Sequence, residues 1–231
     1  MKDQYFGDVN DYMKYGILRC CAEAGWRVGV CWMLTPNDGR SEGRKIGYLS
    51  DSRGWRDHDP ALFDSLQRIV SGGDRQVAAA NGASIIPGAQ YFDDLVPDER
   101  GARTDWMTSA HRTLSSSDII FFDPDNGLQV ASKPKGRKDS SKYIFWDELE
   151  QTWNMGASLL VFQHFAREKR SEHAARLASQ LLARAPGSNI TRLTTPSVLF
   201  LLASRPQHAD RTEAALDLLQ ARWGSRFRLV D

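Results

Sequence analysis

Over residues 12–23 the apolar side chains Tyr12, Met13, Tyr15, Ile17, Leu18 and Cys21 crowd one side at roughly helical spacing, with Gly25 placed to end a helix. Residues 26–34 then form a nearly unbroken apolar run closed by Thr35-Pro36-Asn37-Asp38-Gly39, the pattern of a buried strand and a loop. The glycine-rich stretch 40–56 is mostly polar and carries one short predicted strand, at 46–49. Pro60 opens a helix over 61–70 with Leu62, Phe63, Leu66, Ile69 and Val70 on one face, broken by Gly72-Gly73. A short strand at 84–91 and a helix at 104–115 precede the clearest strand, Asp118-Ile119-Ile120-Phe121-Phe122-Asp123, an apolar run that ends on an acid. Residues 139–153 are helical in their latter half, 157–164 form another buried strand, and 167–185 a further helix. Segments 189–194 and 197–204 are β-type and separated only by Thr195-Pro196. So short a link demands an antiparallel hairpin, because a parallel crossover needs about a dozen residues. An amphipathic helix at 209–223 closes the pattern.

Strand and helix in alternation predict an α/β fold: a Rossmann-like, mostly parallel sheet with helices on both faces and a C-terminal antiparallel hairpin. The 231 residues suit one domain, since α/β domains run to about 250. Segment 132–141 is basic and rich in breakers, which marks it as the expected mobile loop. With 41% hydrophobic and 26% charged residues the chain is not disordered. The net charge of +1 provides no general field for nucleic acid, so such binding needs a local basic patch, for which 133–142 is a candidate. Three cysteines make neither a CxxC pair nor an even disulfide set, and are expected as small buried side chains in a reducing compartment. No signal-like apolar region and no run near the ~18 apolar residues of a membrane span are present, so a soluble cytoplasmic protein with no membrane partner is expected.

In open α/β sheets ligands bind beyond the carboxyl ends of the strands. At one such end stands Asp123-Pro124-Asp125-Asn126-Gly127, whose oxygens suit a base edge, a ribose or a divalent cation, although Asp-Pro and Asn-Gly also make ordinary turns. At another stands Gln163-His164-Phe165, where His164 is a general base, a metal ligand or a hydrogen-bonded structural residue. Arg167 and Arg170 follow, placed either for phosphates at a helix start or on a solvated face. The third cluster is Gly7-Asp8-Val9-Asn10-Asp11-Tyr12-Met13-Lys14-Tyr15. Asp8 there reads as an N-cap, but Lys14 on the apolar side between two tyrosines is costly unless it meets an acid or a ligand. The loop 35–43, with Thr35, Asp38 and Gly39, would face a cofactor by its placement alone. Neither HExxH, GxSxG, GxGxxG nor a Walker sequence occurs.

These residues resemble the class I S-adenosylmethionine-dependent methyltransferases, and in particular the bacterial ribosomal-RNA adenine-N6 methyltransferase family. That family's N-terminus reads G-N-x-A-D-V-x-K-H, and Gly7, Asp11 and Lys14 keep the same spacing. Its D-P-P-Y at the end of the fourth strand corresponds to Asp123-Pro124-Asp125-Asn126, and the terminal hairpin to its sixth and seventh strands. Asp125-Asn126 supplies no aromatic face for a flipped adenine, which points to another nucleic-acid position or to a relative that no longer methylates. The resemblance implies S-adenosylmethionine as cofactor, held by Gly7, Asp8, Asp11 and Lys14 with Thr35, Asp38 and Gly39. Asp123, Asp125, Asn126 and His164 become the catalytic candidates, and Lys142, Arg167 and Arg170 the phosphate contacts of a nucleic-acid substrate. No residue is assigned as a resident metal ligand in this reading. The alternative is a Mg- or Mn-dependent phosphodiesterase or nuclease, in which Asp8, Asp11, Asp123 and Asp125 converge on the cation. A non-catalytic binding module is the third reading.

Overall fold

A computed structural model describes residues 1–39, 43 and 45–230. The expected cofactor loop 35–43 therefore falls partly, at residues 40–42, outside the described residues. Helix α1 spans Val9–Glu23, where Asp8 caps it by accepting the N–H groups of Asn10 and Asp11 at 2.8 and 3.0 Å. Strand β1 (Val28–Cys31), short helix α2 (Ser52–Trp55), α3 (Pro60–Ser71), short α4 (Ala78–Gly82) and β2 (Gln90–Phe92) follow. Asp59 caps α3 through the Leu62 N–H, and Pro60 opens it. Next come α5 (Arg100–Thr113), β3 (Ile119–Phe122), the paired β4 (Gly127–Leu128) and β5 (Tyr143–Ile144), and α6 (Trp146–Asn154). Strand β6 (Ser158–His164), α7 (Arg170–Arg184), β7 (Asn189–Thr194), β8 (Val198–Ser204), α8 (Ala209–Trp223) and β9 (Arg228–Val230) complete the order.

The seven-stranded sheet has the order β2-β1-β3-β6-β8-β7-β9. Strands β2, β1, β3 and β6 are parallel neighbours, with Val28 opposite Ile119 and Ile119 opposite Ser158. Strand β8 runs antiparallel between β6 and β7, with Gln163 and Thr194 both opposite Leu199. The fold is thus the expected mostly parallel sheet with a C-terminal antiparallel hairpin. Successive strand residues face opposite sides. Phe121, Leu160 and Phe200 pack on the side of α1, α3 and α8, among Tyr12, Leu66 and Trp223. Phe122, Val161 and Leu201 pack on the side of α5, α6 and α7, among Trp106, Leu149 and Leu181. Two covered faces explain why the strands read as continuous apolar runs.

Several local readings differ. The apolar residues at 46–49 form a 3-10 turn, Gly47–Ser50, because Tyr48 turns in to stack on Tyr12 with ring centroids 5.1 Å apart. Only Gln90 and Tyr91 of the stretch 84–91 are strand, as the first two residues of β2, since Ile85 and Ile86 are used as core contacts after a left-handed Ser84 (φ 47°). Strand β1 stops at Cys31, and Met33 (φ 47°) takes the chain off the sheet. The loop expected to be mobile is pinned. The Asp98 carboxylate accepts the N–H groups of Asp139 and Ser141 at 2.9 and 2.7 Å, and Lys133 and Lys142 both pair with Asp139. Strand β9, which the pattern did not predict, adds to β7. No helix among the described residues is long and apolar enough to cross a membrane.

Candidate functional site

The chain leaves β1 toward β2 on one side and returns to β3 on the other, so a crevice opens at their carboxyl ends. Residues at the start of the chain fill it. The Met1 nitrogen donates to the carbonyls of Met33 (3.2 Å) and Asp123 (3.0 Å), and Lys2 Nζ pairs with Asp38 (3.0 Å) and Asp125 (2.9 Å). Thr35 Oγ1 lies 3.3 Å from both the Met1 carbonyl and Asp125 Oδ2. Thr35 and Asp38 thus hold this segment down, Asp38 being itself exposed, and Gly39 sits exposed beyond them. None of the three lines the cavity described next.

That cavity, of about 340 Å³, lies over the ends of β3 and β6 and the start of α1. Asp8, Asp11, Lys14, Asp123, Asp125, Asn126 and His164 all line it, so three sequence clusters converge there. Lys14 Nζ is the centre: it lies 3.0 Å from Asp11 Oδ1, 2.8 Å from Asp123 Oδ2 and 4.3 Å from the Phe162 ring centroid. Of the two partners open to a lysine between two tyrosines, an acid or a ligand, the chain supplies acids. Burial favours the neutral amine, but Asp123, Asp11 and Asp8 outweigh it and hold Lys14 protonated. Gly7 reverses the chain at φ 76°, donating its N–H to Asp11 Oδ2 (3.1 Å) and accepting the Tyr48 hydroxyl (3.1 Å). It is a turn that aims Asp8 and Asp11, and it does not itself line the cavity.

The carboxylates outnumber the cation at Lys14, and this sets their protonation. Burial, with Asp8 and Asp123 against the opposing Lys14, pushes the Asp11 carboxyl up to about 7. Asp8 is raised too, mainly by burial, against Lys14 and the two N–H groups it accepts. Asp125 moves the other way: burial alone would raise it, but the Met1 ammonium and Lys2 hold it below the ordinary carboxylate value. Its Oδ1 is buried with no hydrogen-bond partner among the described residues, the Met1 nitrogen standing 3.8 Å away. It is a buried acceptor left without a hydrogen bond beside the Met1 ammonium.

Asn126 is exposed at the mouth, its N–H donating to the Lys142 carbonyl at 2.8 Å, so the β4–β5 pairing locks the Asp123–Gly127 turn. Gly127 (φ 109°) continues that turn, and Gln163 Oε1 accepts the Leu128 N–H at 2.7 Å, tying it to β6. His164 stands at the rim with its ring edge-on to Phe162, centroids 4.9 Å apart. Its partial burial and the nearby Lys14 ammonium lower its pKa, so the ring is neutral at pH 7 and has a nitrogen that can accept a proton. Tyr5, Asn10, Lys45 and Phe162 also line the cavity. Of these only Asn10 falls within the third sequence cluster, without a role of its own. Tyr5 lies two residues before the Gly7 turn, and Phe162 looks like any core residue of its strand.

Lys142 does not reach the cavity and pairs with Asp139 at 2.9 Å. Arg167 and Arg170 are exposed past the end of β6, outside this cavity, Arg170 lying over the Phe165 ring at 5.2 Å. Cys20, Cys21 and Cys31 are free and buried, and burial pushes their thiols up to about 11, 12 and 12. Among the described residues no three His, Cys, Asp or Glu side chains are disposed to hold a metal ion. No protein-family model matches the chain, and no curated protein matches it.

Proposed function

We propose that the chain is an S-adenosylmethionine-dependent methyltransferase that acts on nucleic acid. The observation that carries this reading is the 2.8 Å contact between Lys14 and Asp123, because it joins the two motifs of the resemblance, 109 residues apart, in one cavity. Strand β8 running antiparallel between β6 and β7 is also in keeping with the class I methyltransferase hairpin. The residues present fit the cofactor. A cavity of about 340 Å³ suits a small ligand, its acid excess around Lys14 suits a sulfonium and an ammonium, and the orphaned Asp125 Oδ1 suits an N–H donor. Asp8, Asp11 and Asp125 would face the cofactor's positive groups, Lys14 and Lys45 its carboxylate, and Tyr5 and Phe162 its apolar parts. Thr35, Asp38 and Gly39 have no part in holding it.

The bound cofactor supplies an electrophilic methyl group. The protein's share is placement: transfer to a nucleophile needs in-line approach more than acid-base work. Asp123 and the Asn126 carboxamide orient the acceptor group at the mouth, and neutral His164 takes the proton that the acceptor loses. The metal-dependent phosphodiester reading has less support, because Lys14 and Lys2 already occupy the space between the carboxylates that a cation would need.

Calorimetric titration with S-adenosylmethionine, followed by transfer of labelled methyl to pooled RNA and DNA, tests the proposal. Saturable cofactor binding and Asp123-dependent transfer are expected, with Asp123→Asn losing about 100-fold in rate and His164→Gln about 10-fold or more. Absence of cofactor binding, or full transfer by Asp123→Ala, sinks it.

A further inference from the structure

A second cavity, of about 680 Å³, opens at the same end of the sheet. Thr194 at the end of β7 and Arg228 at the start of β9 pair with one another, and the start of α7 faces them. Three arginines line this cavity, Arg170, Arg226 and Arg228, and no carboxylate does among the described residues. Neither Arg170 nor Arg228 is ion-paired among the described residues, whereas the nearby Glu172 and Glu168 are engaged by Lys169 (3.1 Å) and Arg176 (2.6 Å). Arg170 is steadied by the Phe165 ring, and Arg226 by a stack 3.6 Å over Trp55 and a bond from its Nε to His58 Nε2 at 3.0 Å. Uncompensated guanidinium groups held in a concave site select an anion.

Two further donors point to the kind of anion. Helix α7 has no side-chain cap, which leaves its first N–H groups without a side-chain acceptor, and Ser171 in its first turn lines the cavity. Thr195, which lines the cavity, accepts the N–H groups of Ser197 and Val198 on Oγ1 at 3.2 and 3.1 Å, and its hydroxyl keeps one hydrogen to donate. We propose that this cavity is a phosphate subsite for a nucleic-acid strand: Arg170 and Arg228 neutralise the phosphodiester, and Thr195 and the α7 amides bond its oxygens. Asp123 follows β3, and β3 and β7 are three positions apart in the sheet, about 14 Å, so a polymer with its acceptor group beside Asp123 spans to a phosphate here. The polymer assignment rests on the methyl-transfer reading. The phosphate site does not.

The test is fluorescence anisotropy with a short labelled single-stranded RNA and the same sequence as DNA, against wild type and Arg170→Glu/Arg228→Glu. Both side chains are exposed, so the variant folds, which its thermal transition checks. We expect at least tenfold weaker binding and a salt slope shallower by about one to two. Unchanged affinity and slope in the variant, or no wild-type binding to either strand, overturns the proposal. Inorganic phosphate or a nucleoside monophosphate competing as well as the oligonucleotide overturns the polymer assignment while supporting the phosphate site. The same preparations are titrated with S-adenosylmethionine. Arginine-dependent strand binding without cofactor binding sinks the methyl-transfer reading and leaves the phosphate site standing.

Discussion

Lys14 and Asp123, 109 residues apart in the chain, meet at 2.8 Å with both side chains almost wholly buried. Helix α1 is thereby bonded to the end of β3, and the two candidate motifs become one site. Removing the ammonium leaves Asp11 and Asp123 facing each other without a cation. Lys14→Met is expected to cost about 3–5 kcal/mol, the penalty for an uncompensated buried charge. Urea unfolding at pH 7 measures it, and adding Asp123→Asn to Lys14→Met recovers part of the loss.

Asp11 makes stability depend on pH. Its carboxyl is pushed up to about 7 in the folded chain, whereas an unfolded Asp ionises near 3.9. Between these values the native state binds more protons than the unfolded one, so this contribution is fully present below about pH 4 and declines as pH rises toward 7. Urea midpoints for wild type and Asp11→Asn over that window check the sign: the variant loses this downward slope.

The buried pair of Arg103 and Glu148 joins α5 to α6 through bonds of 2.9 and 2.8 Å. Both side chains are 2% exposed. Arg103→Ala or Glu148→Ala alone is expected to destabilise by about 3–5 kcal/mol, while the double replacement Arg103→Met/Glu148→Leu lies much closer to wild type. A double-mutant cycle in urea reads the difference. Equal losses in the single variants and the double variant would contradict the assignment.

Gly127 follows the Asp123–Asn126 turn at φ 109°, and a Cβ there would collide with the Gln163 side chain. Gly127→Ala combines backbone strain with that collision and is expected to destabilise by about 1–3 kcal/mol. Adding Gln163→Ala relieves the collision but not the strain, so thermal unfolding recovers only in part. If the methyl-transfer reading holds, both variants also lose transfer through misplaced Asp123 and Asn126.

Much of the architecture was legible because it rests on local rules. The run from Ile119 to Asp123 is a buried strand by composition, and Thr195-Pro196 is too short a link for anything but a hairpin. The cost of burying Lys14 among tyrosines calls for an acid or a ligand beside it, and that much follows from the sequence. The stretch at 46–49 was misread because Tyr48 and Leu49 are apolar for the sake of contacts with α1 and α3, which periodicity does not encode. The loop at 132–141 is rich in breakers, yet Lys133, Lys135 and the adjoining Lys142 pair with Asp139, Asp147 and Glu148, two of which lie outside it, and the sequence pattern does not encode those contacts.

By itself the chain's pattern of apolar and polar residues determined the alternating fold, the acidic strand end and the hairpin, since period, turn chemistry and loop length act between near neighbours. Tertiary structure alone decided that Asp123 belongs to Lys14 and Asp125 to Lys2, that the start of the chain fills the crevice ahead of Thr35 and Asp38, and that three arginines from α7 and the C-terminal segment share one cavity. Ion pairing in a low-dielectric interior depends on distances of a few ångströms between residues far apart in the chain, and only the folded packing sets those distances.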